Sequence, residues 1–279
     1  MRLTWRAVIA ALLTLTAVLF AQAAATLWLR EQGLHPDLAM NLPRLVGLPV
    51  VIGVSWMLLR RCAIDPRSMF ARPAPALPLL LSAVLIGVLF RIANWATIHA
   101  FGAFGWLESA ALAPPRTFGI GWECPSTLVL VVGAISWIVL VPLSEELVHR
   151  GVVLSRLAPH GATRAVIGAS IVFMFLHQPE GYATAFVAGL ILGYQYWVTR
   201  SLWVPIVTHA TYDGLLIADK LCLKLTWNPP QDEIPVWEAG VPAILVAVAS
   251  LAAIIALLRT LRTGVRKPRP AVPGTESSG

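Results

Sequence analysis

Seven residues of types that do chemistry fall into three clusters within the apolar part of this sequence. Glu145, Glu146, His149 and Arg150 form the first, His177 the second, and His209 with Asp213 the third. Glu146 and Arg150 stand four apart, on one face of a helix, where they form an ion pair. Glu145 is turned about 100° from Glu146 and faces a different cavity, within reach of His149 four residues on. Pro142, three residues before Glu145, interrupts the backbone ladder and lets water approach. A partly desolvated carboxylate beside water suits a general base. His209 and Asp213 are again four apart, so the carboxylate can orient the imidazole. Together the groups suit attack of water on a carbonyl: Glu145 takes the proton, His177 positions the water, and His209 faces the developing oxyanion. Two histidines and carboxylates equally suit a zinc ion with one position open for water, held by Glu145, His177, His209 and Asp213. The residues alone do not separate these readings. The expectation favours no cofactor, because the sequence has no His-Glu-x-x-His and the groups come from separate segments.

These groups sit in an unusual chain. Of 279 residues, 57% are apolar and 13% charged, against about 25% charged in ordinary soluble domains. Mean hydropathy is +0.74. A globule of this size cannot hide that much apolar surface. A soluble enzyme, a secreted disulfide scaffold and a disordered chain are excluded, and an all-α polytopic membrane bundle is expected. The net charge of +7 comes almost wholly from arginine and points to membrane topology, not to a nucleic-acid partner. Cys62, Cys124 and Cys222 share no short spacing and are odd in number, which supports neither a zinc knuckle nor a disulfide framework.

A spanning helix needs about 20 apolar residues. Charge-free runs occupy 7–29, 45–59, 73–90, 124–144, 165–179, 181–199 and 239–258, and 201–218 carries only Asp213. About eight spans follow, in one transmembrane domain over 1–262 whose motif core is 127–219. A Pro-, Ser- and Gly-rich cytoplasmic tail, 263–279, is expected to be disordered. With both termini cytoplasmic, 15 basic residues fall in inner segments and five in outer ones (Arg30, Arg44, Arg116, Lys220 and Lys224), with Arg91 inside the third span. Arg2, Arg6 and Ala21-Gln22-Ala23 resemble a signal peptide, but the 23-residue apolar run is longer than a usual signal core and is expected to stay as a helix. Arg91 and Asn94 are expected to act as polar glue between helices.

Depth brings the clusters together. Counted from Arg156, Arg164 and Arg200, Glu145 is 11 residues into its helix, His177 is 13 and His209 is 9. At 1.5 Å per residue these lie roughly 14–20 Å deep, near the middle of a hydrocarbon layer about 30 Å thick. This requires the fourth helix to continue past Arg150, over about 127–157.

The ordered triple Glu145-Glu146-x-x-x-Arg150, Phe173-x-x-x-His177 and His209-x-x-x-Asp213 resembles the CAAX-processing and bacteriocin-processing membrane enzymes (the CPBP or Abi family). The resemblance implies an α-helical intramembrane endopeptidase. It makes Glu145 the catalytic base, with His177 assisting and His209 plus position 213 as the oxyanion site; Glu146, Arg150 and His149 support them. Some members of the family carry a metalloprotease label. Two positions depart from the family pattern. His149 stands where an aromatic is common, and adds a proton carrier or a polar contact. Asp213 stands where Asn is common; an ionised Asp cannot donate to an oxyanion, so its role shifts to orienting His209 or binding a metal. The expected partner is a membrane-associated or lipidated peptide or protein, cut near its C-terminus, and the expected location is a bacterial inner (plasma) membrane. Two other classes use the same residue types: a proton-coupled transporter, and a non-catalytic immunity or scaffold protein.

Overall fold

The computed structural model describes residues 3–70, 75–104, 119–122, 124–221, 223–226 and 236–264. The predicted tail lies almost entirely beyond them, as do Arg116 and Cys222. Eight helices run through the described residues: α1 (Trp5–Glu31), α2 (Pro36–Arg61), α3 (Leu77–Ala103), α4 (Thr127–His160), α5 (Ala162–Phe175), α6 (Tyr182–Thr199), α7 (Trp203–Leu221) and α8 (Val236–Gly264). Each predicted apolar run overlaps one of them. Five helices, α1, α2, α3, α4 and α8, are long and apolar enough to cross a bilayer. The apolar α5 has only 14 residues, while α6 and α7, with 18 and 19, carry Gln195, His209 and Asp213. The chain is an all-α integral membrane bundle.

Local signals set the helix ends. Thr4 caps α1, its hydroxyl accepting the Ala7 N–H at 3.3 Å. Pro36 opens α2 where a missing N–H costs nothing. Gly161, at φ +92°, turns the chain between α4 and α5 in a conformation that side-chain-bearing residues rarely adopt.

The central element is α4, which touches α1, α2, α5, α6 and α7. Around it α1 packs on α2, α5 on α6, and α3 on both α7 and α8. Close approach rests on small residues, as expected where lipid competes equally well for apolar side chains. A Cβ on Gly189 would stand 2.8 Å from the Ser170 backbone, and one on Gly87 only 2.6 Å from the Thr208 carbonyl. Polar side chains add cross-links. Gln195 donates to Thr208 at 2.8 Å, and Thr208 donates to the Ala83 carbonyl at 3.0 Å. Asn94 donates to the Tyr212 hydroxyl and accepts from Thr184, joining α3, α6 and α7 as the expected glue. Large apolar side chains such as Phe20, Val46, Leu81 and Val248 point outward, as a lipid-facing surface requires.

Four expectations change. Gly119–Trp122 and Leu223–Thr226 pair antiparallel as a two-stranded ribbon, β1 and β2, which joins two loops and leaves the bundle all-α. Cys124, two residues after β1, is disulfide-bonded while Cys62 is free. A disulfide belongs to an oxidising compartment. Arg44 is not in an outer loop but two turns inside α2, and Arg150, counted among the inner basic residues, is buried to 1% exposure within α4, which continues past it as expected.

The glycine contacts predict an asymmetric response to added bulk. Gly87→Val should destabilise the bundle by about 1–3 kcal/mol through overpacking against Thr208 and Thr211. Gly53→Ala, with nothing within 4 Å of the added carbon, should be neutral or gain up to about 1 kcal/mol. Thermal unfolding of the two purified variants in one detergent measures the difference.

Candidate active site

The first cluster hangs on an irregular stretch of α4. Two wide turns, Ile135–Leu140 and Leu147–Leu154, flank the regular segment Val141–Glu146. Pro142 has no N–H to give to the ladder, and just before it the Val141 N–H bonds back five residues to Ser136. Such bulges rotate the side chains that follow and recur at functional sites. Here they place Glu146 and Arg150 wholly inside the protein and leave Glu145 partly exposed.

The Glu146–Arg150 pair forms as expected, at 2.8 Å, with both partners at 0–1% exposure. A buried ion pair is costly unless its remaining hydrogen-bonding groups are met. Arg150 gives a second bond to the Gly189 carbonyl of α6 at 3.3 Å and lies 4.8 Å over the Phe173 ring. The lack of a side chain at Gly189 is what brings that carbonyl close. Glu146 reaches beyond Arg150: its Oε1 also meets His209 Nδ1, on α7, at 3.0 Å. The sequence paired His209 with Asp213. The ring is instead fixed through Nδ1 by Glu146, with Asp213 Oδ2 at 3.5 Å and Glu145 Oε2 at 3.9 Å from the other nitrogen, Nε2. The cause is tertiary, because α7 crosses α4 at the level of Glu146.

Glu145, Glu146, Arg150, His209 and Asp213 therefore come together. His149 joins them from behind. Its Nδ1 donates to the Glu145 carbonyl at 2.7 Å, not to the Glu145 carboxylate, and its ring stands edge-on to Phe173 at 4.8 Å. His177 does not lie where a continuous span would put it. Helix α5 stops at Phe175, since Pro179 holds Gln178 extended, and His177 is exposed on the connecting turn, its Nδ1 donating to the Phe173 carbonyl at 2.8 Å. Its ring centroid is 4.6 Å from that of Phe173.

Phe173 is the residue the chemical reading passed over. Buried to 2% exposure, it lies against His149, Arg150 and His177 and within 6.1 Å of the His209 ring, so one aromatic spaces the cationic and imidazole groups. Its position four before His177 was visible, but its function as a spacer was not.

Among the described residues no three His, Cys, Asp or Glu side chains are placed to hold one metal ion. Of the residues of the zinc set, His177 stands on its exposed turn, while His209 Nε2, with Nδ1 held by Glu146, faces Asp213 at 3.5 Å and Glu145 at 3.9 Å. Within the described residues Glu145 Oε2, Asp213 Oδ2 and Glu146 Oε2 have no hydrogen-bond partner. The first two converge on His209 Nε2, an arrangement that can accept protons from water or from a peptide N–H.

The pair's burial makes a prediction. Arg150→Met alone strands Glu146 in the interior and should cost about 3–5 kcal/mol of stability, whereas Glu146→Leu with Arg150→Met removes both charges and should recover most of that loss. Unfolding midpoints of the single and double variants in detergent test the order.

Residues 127–215 match the family model described as type II CAAX prenyl endopeptidase Rce1-like. No curated protein and no solved structure matches the chain. The matched stretch holds α4 from its first residue through the motif portion of α7, and with it every residue of the buried cluster just described. Residues 127–215, at the centre of the membrane bundle, are thus similar to the Rce1-like type II CAAX prenyl endopeptidases.

Proposed function

We propose that the protein is an intramembrane endopeptidase that cuts a membrane-associated or lipidated protein near its C-terminus, with Glu145 as the base that activates water. The observation that carries this reading is the meeting of a partly exposed carboxylate, Glu145, with an imidazole whose far nitrogen is fixed by a fully buried ion pair.

In this reading Glu145 takes a proton from water as the water oxygen bonds to the scissile carbonyl carbon. Charge moves to the carbonyl oxygen, and His209 Nε2–H faces it. An imidazolium donates from both nitrogens, so His209 can keep its bond to Glu146 while it serves the oxyanion. The intermediate then collapses, the C–N bond breaks, and the leaving amine takes the proton back from Glu145. Asp213 acts on His209 Nε2 from the side and does not donate to the oxyanion. His177, on its exposed turn, stands where an incoming peptide or water meets the Phe173 platform. No step is assigned to a metal. A bacterial plasma membrane, the motif cavity opening toward the cytoplasm, completes the proposal.

Purified wild type should cleave a membrane-anchored lipidated peptide in the presence of a strong chelator. Glu145→Gln should lower the rate by about 10²–10⁴-fold, the usual range for loss of a general base. Equal cleavage by Glu145→Gln would remove Glu145 from the chemistry. Chelator-sensitive activity restored by zinc would replace the glutamate mechanism with a metal one. Proton-coupled transport without peptide cleavage would replace the protease reading altogether.

A further inference from the structure

Four exposed arginines take no part in the chemistry above and gather at one end of the bundle, the end expected on the cytoplasmic side. Arg60 and Arg61 close α2, Arg67 stands on the short 3-10 turn Pro66–Phe70, and Arg200 joins α6 to α7. Among the described residues none of the four forms an ion pair. The one carboxylate in these two connections, Asp65, is turned to the backbone, its Oδ1 accepting the Arg67 N–H at 3.0 Å.

The two connections are locked together although they are more than 100 residues apart in sequence. The Leu202 N–H donates to the Met69 carbonyl at 2.7 Å, and the Ser201 hydroxyl donates to the Phe70 carbonyl at 3.5 Å. The Phe70 ring stands edge-on to Trp203, centroids 5.3 Å apart, with Trp56 6.4 Å from it on the α2 side. Arg67 and Arg200 each stand two residues from the Met69–Leu202 bond, so both belong to one corner of the surface. Charge that only sets topology needs no such lock. Arg200 is also strained, at φ +53°, a left-handed backbone that residues with side chains rarely adopt. Strain kept at such a residue points to a function. Its guanidinium lies 4.2 Å over the ring of Trp197, which holds one face of the plane and leaves the N–H fork free, the geometry that suits a phosphate.

Position identifies the source of that phosphate. The corner lies where α2 and α6 end and α7 begins, at the level of lipid headgroups, and Trp203 beside it is 43% exposed, as an interfacial tryptophan is. Basic pockets between helices at this level take anionic headgroups. We propose that Arg67 and Arg200 bind the phosphate of an anionic phospholipid, with Arg60 and Arg61 adding charge and Trp203 lying against the glycerol and upper chain. The site does not depend on the protease reading, but it adjoins the elements of that site. Met69 packs in one apolar cluster with Leu147 and Val152 of the wide turn of α4, and Trp203 opens α7 six residues before His209. A bound headgroup therefore braces the end of the helix that carries His209.

The test titrates detergent-purified full-length protein with dioleoyl phosphatidylglycerol or dioleoyl phosphatidylcholine and reads the first bound lipid by native mass spectrometry. Wild type should bind the anionic lipid about tenfold tighter or more, the worth of two arginines at a headgroup. Arg67→Gln with Arg200→Gln should lose most of that preference. Arg164→Gln with Arg259→Gln removes the same charge from exposed positions on α5 and α8 and should keep it. The thermal unfolding midpoint of wild type should rise with phosphatidylglycerol and not with phosphatidylcholine, and the rise should vanish in the Arg67 and Arg200 double variant. Equal binding of the two lipids by wild type overturns the proposal, whether or not any variant folds. Equal loss of preference in both double variants also overturns it, because diffuse charge would then account for the attraction. Displacement of the lipid by low-millimolar inorganic phosphate would make the corner a site for a free anion and overturn the lipid assignment.

Discussion

A fully buried glutamate shared between an arginine and a histidine constrains everything around it. Glu146 accepts from Arg150 at 2.8 Å and meets His209 Nδ1 at 3.0 Å, with 0% of its own surface exposed. A carboxylate so placed is tolerable only with partners on both sides, and each partner comes with a requirement. Arg150 needs the Gly189 carbonyl, so α6 must carry a glycine where it crosses α5. It also needs a face to lie on, which Phe173 provides. His209 needs its helix to pass α4 at that level, and the close contact of Gly87 with Thr208 brings α3 against the preceding residue. The consequence for chemistry is that the imidazole is held from behind, with Nε2 turned to Glu145 and Asp213.

The irregularity of α4 serves the same end. A regular helix with Glu145 and Glu146 adjacent would turn one carboxylate in and leave the other about 100° away, and would carry no local opening in its backbone ladder. Pro142 and the wide turns on either side change the aim of the regular segment on which Glu145 stands. The two neighbouring glutamates thereby have different surroundings, Glu146 fully buried and Glu145 partly exposed.

Much of this architecture could be read from residues alone, for identifiable reasons. The apolar runs declare themselves because lipid allows so few alternatives, and each overlaps a helix. The Glu146–Arg150 pair is a local contact, four residues apart, and local contacts are visible in a sequence. The second bond of Glu146, to His209, spans 63 residues and depends on how α7 crosses α4, which no spacing encodes. His177 falls outside its helix because its apolar run continues to Pro179, while the helix yields to that proline and ends at Phe175. Arg44 was assigned to an outer loop because charge marked the end of a run; its ring partner, Trp137, lies 93 residues away.

The central claim is that Glu146 acts on catalysis only through His209. The most direct measurement is a double-mutant cycle of Glu146→Gln and His209→Asn, read as kcat on a lipidated peptide with folded protein confirmed for each variant. The account predicts that Glu146→Gln slows wild type but adds little once His209 is gone. Full additivity of the two losses would contradict it.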